Sequence, residues 1–110
     1  MKNEELIRIL NAIADLLDIQ EVKYKPESYR RVARAIEGMI EEVFDEYKAG
    51  RLYEIPGVGE HIGEKIEEML ETGKSSYYNT LKKEVKVDVE SLRQIPFLGP
   101  KKIKVLYKIL

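Results

Sequence analysis

The chain has no cysteine, which removes disulfides, thiolate metal sites and cysteine nucleophiles together. Tryptophan is missing as well, and His61 is the sole histidine, so a histidine-built zinc site lacks its ligands. No apolar run approaches the roughly 18 residues that a membrane helix needs. The N-terminus carries Glu4 and Glu5 within an amphipathic pattern, where a leader would carry a basic region and an apolar stretch. No membrane partner is expected, and a cytoplasmic location follows. Neither sign of charge dominates, since the net charge is −1.

That average hides a segregated pattern. Residues 21–35 carry a net +3, through Lys23, Lys25, Arg30, Arg31 and Arg34. Residues 36–54 and 60–72 each carry a net −4, and the last ten residues a net +4, with Lys101, Lys102, Lys104 and Lys108. A protein can present one basic face to phosphate while an acidic face keeps it soluble. Such binding is moderate and sensitive to salt, because few phosphates are neutralised.

What is present reads as helix. Leu6, Ile9, Leu10, Ile13, Leu16 and Leu17 recur at three- and four-residue steps and predict a helix over about Asn3–Leu17. Asn3 with Glu4 and Glu5 suits its start, where acids meet the positive end of the helix dipole. Pro26 suits the first turn of a second helix, with Tyr29, Val32, Ala33 and Ile36 inward and Gly38 ending or bending it. A third helix is predicted over Met39–Ala49, placing Ile40, Val43, Phe44 and Tyr47 on one face, with Gly50 as its C-cap. Further on, Ser76–Glu84 predicts a helix over Tyr78 and Leu81, Val85–Val89 a linker, and Val89–Gln94 a short helix. The fold class expected is all-α, a compact bundle of short helices.

The text also repeats itself. Ile55-Pro56-Gly57-Val58-Gly59 leads into Glu60–Leu70, and forty residues later Ile95-Pro96-Phe97-Leu98-Gly99 leads into Pro100–Leu110. Two glycines one residue apart, after a proline and before a helix, make a tight turn with bare backbone. The amides of that turn and the unpaired donors of the next helix's first turn can chelate a phosphate oxygen. A grip on the sugar-phosphate chain reads no sequence. The alternative is an ordinary packing corner. The second copy is the weaker of the two, because Phe97 replaces a glycine and Pro100 removes a donor; its lysines are its better argument. Gly57, Val58, Gly59 and His61, with Gly99, Lys101 and Lys102, are thus candidate phosphate-binding residues. Lys25, Arg30 and Arg34 beside Tyr24 and Tyr29 read as a nucleic-acid surface or as a solvated face.

The string Tyr29–Ile36, followed at this distance by Ile55–Gly59 and by Gly57–Ile66, resembles the N-terminal region of family X DNA polymerases of the polymerase beta type. The resemblance covers essentially the whole chain. It implies a small N-terminal domain over 1–74, then linker helices and a second helix-hairpin-helix over 75–110, with a C-terminal polymerase domain beyond Leu110. It implies sequence-nonspecific binding to gapped or nicked DNA. A monovalent cation, Na+ or K+, is implied on the carbonyls of Tyr53, Ile55 and Val58, and of Arg93, Ile95 and Leu98. No cofactor is implied for binding itself, and Mg2+ belongs only to the polymerase domain.

The same resemblance implies a 5′-deoxyribose-phosphate lyase as an alternative, with Lys65 at the position of the Schiff-base nucleophile. Lys25, Tyr29 and Glu64 match other positions of that site. Tyr24, His61 and Tyr77 depart from it, since animal enzymes have histidine, lysine and lysine there. A free lysine amine is only about 0.04% neutral at pH 7, so this chemistry needs neighbouring cations or partial desolvation. The plainer reading of Lys65 is a surface lysine paired with Glu64 or Glu68 across one helical turn. A non-polymerase helix-hairpin-helix repair protein, or a protein-docking module, is the remaining alternative.

Overall fold

The computed structural model describes residues 1–92, with side chains as far as Val85. Among the described residues the structure is entirely helical, as the periodicity predicts. Helix α1 spans Asn3–Ile19 and buries Leu6, Ile9, Leu10, Ile13, Ala14 and Leu17 on one stripe. Its end is a Schellman motif: the Glu21 amide donates to the Asp18 carbonyl and the Val22 amide to the Leu17 carbonyl, with Glu21 at φ 61°. Helix α2, Lys25–Glu37, packs on α1 through Tyr29, Val32, Ala33 and Ile36, with Pro26 in its first turn. Gly38 ends α2 while keeping φ at −83°, so the stop does not use glycine's left-handed freedom.

The third helix is shorter than its apolar pattern predicts. Helix α3 covers only Val43–Lys48; Ile40 is 97% exposed and Phe44 is exposed too. The reason lies forty residues away. The Asn3 side-chain carbonyl accepts from the Val43 amide at 2.7 Å, and the Asn3 amide group donates to the Glu41 carbonyl at 2.8 Å. The Asn3 side chain therefore caps α3, while Lys2 takes the N-cap position of α1. Gly50, at φ 77°, closes α3 as expected, with the Arg51 amide reaching the Glu46 carbonyl at 2.8 Å.

A 3-10 turn, Leu52–Glu54, leads into the hairpin, and helix α4 follows over Glu60–Thr72 with Gly59 as its N-cap. Ile62, Ile66, Met69 and Leu70 of α4 join Ile55 and Val58 of the hairpin in the core. Helix α5 runs over Ser76–Leu92 and packs on α1. The linker expected at Val85–Val89 is therefore helix, and so are residues 89–92 of the short helix expected after it. Val85 lies one turn beyond Leu81, and both are buried. Burial of that stripe outweighs the modest helix cost of the valines. Arg93 and everything after it, including Ile95, Leu98, Gly99, Lys101 and Lys102, lie outside the described residues. No helix among those described is long and apolar enough to cross a membrane.

Candidate functional site

The hairpin stands open. Gly57 and Gly59 are exposed, while Val58 between them turns into the core and plugs the corner. Gly57 has φ +87°, and a Cβ there would lie 3.3 Å from Val32 Cγ2 and 3.5 Å from Arg31 Cδ. Glycine is required on both counts. Gly59 is extended, with open space where its Cβ would be. Its carbonyl accepts from the Gly63 amide at 2.8 Å, which starts the helical ladder. Ahead of that first bond, the amides of Gly57, Gly59, Glu60, His61 and Ile62 have no acceptor among the described residues. These are the orphan donors of a helix start, bare on one side.

A cleft of about 370 Å³ opens beside them, lined by Lys25, Ser28 and Tyr29 of α2, the hairpin and first turn of α4, Lys65, and Tyr77 of α5. Three helices and the turn thus meet at one concavity. Tyr29 is only 4% exposed; its ring runs nearly parallel to Tyr77, with centroids 6.3 Å apart and planes 20° off parallel. Burial pushes the Tyr29 phenol far above its ordinary range, and burial raises Tyr77 as well, with Glu84 adding to the effect. Neither phenol ionises in the neutral range, so both rings act as neutral walls. Lys65 is half-buried against the second of them: its Nζ lies 4.7 Å from the centre of the Tyr77 ring and 3.4 Å from the His61 carbonyl oxygen. His61 itself is exposed at the rim.

The basic surface is narrower than the sequence pattern implies. Arg30 is held between Asp15, at 2.9 Å, and Asp18, both on α1. Arg34 pairs with Glu27 at 2.6 Å. Both guanidinium groups are paired within the chain, Arg34 at the surface, while Arg30 ties α2 to α1. Lys25 and Lys65, by contrast, have no carboxylate within ion-pairing distance among the described residues, and both line the cleft. Next to Lys25, Tyr24 is 86% exposed and sits at φ 70°, ψ −42°, with the Lys25 amide donating to the Lys23 carbonyl at 2.8 Å. That three-residue γ-turn is a strained backbone for a tyrosine.

Glu60 lines the cleft itself, and the far side of α4 carries Glu67 and Glu71. Glu67 accepts from the Tyr53 hydroxyl at 3.0 Å and Glu71 accepts from the Tyr47 hydroxyl. The latter bond pushes the Tyr47 phenol up to about 12. Beside this acidic face lies Gly63, where a Cβ would come within 2.7 Å of Tyr53 Cζ. Gly63 had no assigned role in the sequence pattern, because nothing in one dimension shows that the Tyr53 ring crosses it. Ser28 was also missed, although its place three residues after Lys25 on a helix was a usable signal. The carbonyls of Tyr53 and Val58 accept no hydrogen bond from described residues, and that of Ile55 accepts one, from the Val58 amide at 3.1 Å. No group of three acidic or histidine side chains suited to a metal ion occurs among the described residues.

An exposed glycine hairpin between helices, with a plugged core residue and bare amides facing a cleft, defines a class of domain. Residues 1–75 match the model of the helix-hairpin-helix domain, and the chain belongs to that family. Over 112 aligned residues it is 32% identical to the "DNA polymerase/3'-5' exonuclease PolX" of Bacillus subtilis (strain 168), covering 98% of this chain and 19% of that protein. The resemblance to a family X polymerase is thereby borne out.

Proposed function

We propose that this chain is a sequence-nonspecific DNA-binding module of a family X repair polymerase, and that it holds gapped or nicked DNA by its phosphates. The observation that carries the reading is the convergence of Lys25, Ser28, Lys65 and the bare hairpin amides on one open cleft. Amides and ammonium groups at one concavity suit the sugar-phosphate chain, and none of them is arranged to read a base edge. The exposed Tyr24 ring beside Lys25 offers a stacking platform for an unpaired base. A Na+ or K+ ion on the carbonyls of Tyr53, Ile55 and Val58 belongs to the same proposal; hard oxygen donors with free lone pairs suit such an ion. Its polymerase partner would be a further domain of the full-length protein.

Fluorescence anisotropy on a gapped duplex, compared with an intact one across a salt series, tests the reading. The gapped duplex should bind more tightly, and Lys25→Ala or Lys65→Ala should each weaken it several-fold. Equal binding to both duplexes would remove the gap preference, and no salt-dependent binding would remove the module's DNA role altogether.

A second reading is a 5′-deoxyribose-phosphate lyase, favoured by one observation: the half-buried Lys65 amine lies in the same cleft as the phosphate donors. The neutral amine would add to the open-chain sugar aldehyde and release water, leaving a Schiff base. Loss of a proton from C2′ then expels the DNA 5′-phosphate from C3′. Borohydride on DNA bearing the sugar phosphate should trap a covalent adduct, lost in Lys65→Ala; absence of any adduct ends this reading and leaves the binding role intact.

A further inference from the structure

Lys65 does not hang free in the cleft. Its ordinary partner on α4 would be Glu68, one turn on, but both Glu68 carboxylate oxygens are taken by Ser76: the Ser76 amide donates to one at 2.9 Å and the Ser76 hydroxyl to the other at 2.7 Å. Glu64, one residue earlier, forms no ion pair with Lys65. The direct contacts of Nζ are the Tyr77 ring, 4.7 Å away, and a long hydrogen bond to the His61 carbonyl, while the Glu68 charge acts on Lys65 only at longer range. The ring is itself braced by its parallel neighbour Tyr29 of α2, which is buried in the core. Ser76 is the residue before Tyr77, so the bond that diverts Glu68 also fixes the start of α5 and with it the ring.

We propose that Tyr77 is the positioning residue of the cleft. Its ring, backed by Tyr29, seats the Lys65 ammonium so that an arriving DNA phosphate meets a cation already in place. The inference rests on the DNA-binding reading above, and it assigns a contact through Lys65, not one made by Tyr77 itself. A cation over an aromatic face is held electrostatically by the ring, and the phenol hydroxyl is not needed. Holding a flexible lysine in one place removes part of the entropy that binding would otherwise cost.

Two measurements on the 110-residue chain test it. In the free protein, the Lys65 ε-methylene resonance should lie upfield of other lysines because it sits over a ring; Tyr77→Phe should keep that position and Tyr77→Leu should lose it. On a gapped duplex, Tyr77→Leu should weaken binding about two- to fivefold, the range of an exposed cation–π contact, with Tyr77→Phe close to the parent. In a Lys65→Ala background the same Tyr77→Leu change should have no further effect. A merely structural tyrosine would cost the same in both backgrounds, and that result overturns the proposal. So does an ordinary lysine position for Lys65 in the parent protein, which decides the matter even if Tyr77→Leu does not fold. An upfield Lys65 in a protein that binds no duplex would instead overturn the DNA-binding reading and leave the seat standing.

Discussion

At the hairpin, two glycines one residue apart are constrained to different degrees. Gly57 has a left-handed φ and a buried valine against it, so Gly57→Ala should cost about 1–3 kcal/mol in urea unfolding. Gly59 is extended and open, so Gly59→Ala should cost under about 1 kcal/mol, the difference between the two residues at an N-cap. Equal losses would mean that the corner is not shaped as described. Tyr24 makes the opposite case. Its γ-turn is strained and its ring is largely in solvent, so Tyr24→Gly should raise stability by about 0.5–1 kcal/mol. The same change should weaken binding to gapped duplex if the ring stacks on a base; a loss of stability would show that the turn is not under strain.

Between elements, the join of α4 to α5 depends on a carboxylate. Ser75 caps α5 by accepting from the Tyr78 amide at 3.1 Å, and Glu68 binds Ser76 from the preceding helix. The two bonds from Ser76, hydroxyl first, hold the Glu68 carboxyl below the ordinary carboxylate range. A carboxyl lowered in the folded state contributes stability above its unfolded value and loses it as pH falls through the folded one. The contribution should therefore be complete at neutral pH and fade below about pH 4.3, the ordinary glutamate value. Glu68→Gln, which keeps an acceptor oxygen but cannot ionise, should show a flatter acid limb in thermal melts; identical limbs would rule out a role for this carboxylate. The sequence showed neither this bond nor the one from Asn3 to α3, because a cap reaching from another element leaves no trace in local spacing. Where a cap is local, as at Gly50, the helix end was legible.

Among the described residues, the cations left without an ion pair are fewer than the linear charge blocks imply. Each phosphate neutralised by a lysine on B-DNA should add about 0.9 to the salt slope. Lys25→Ala should accordingly lower the slope by about that amount, while Arg34→Ala, already paired with Glu27, should leave it unchanged. Arg30→Ala should act on stability instead, since it removes the two hydrogen-bonded ion pairs that the guanidinium makes across the α1–α2 contact. A slope that dropped equally for all three would mean that the internal ion pairs open on binding.

Helical class, the apolar stripes of α1 and α2, and the glycine hairpin were all determined by sequence alone, because each rests on periodicity or on a backbone shape that only glycine takes. Tertiary structure decided which charges stay available, where α3 begins, and that α5 continues through Val85. It also decided that Tyr77 reaches Lys65 and that Tyr53 crosses Gly63. Those outcomes depend on which side chains from distant segments arrive at one place, and spacing along a chain does not encode a meeting between segments that only packing brings together.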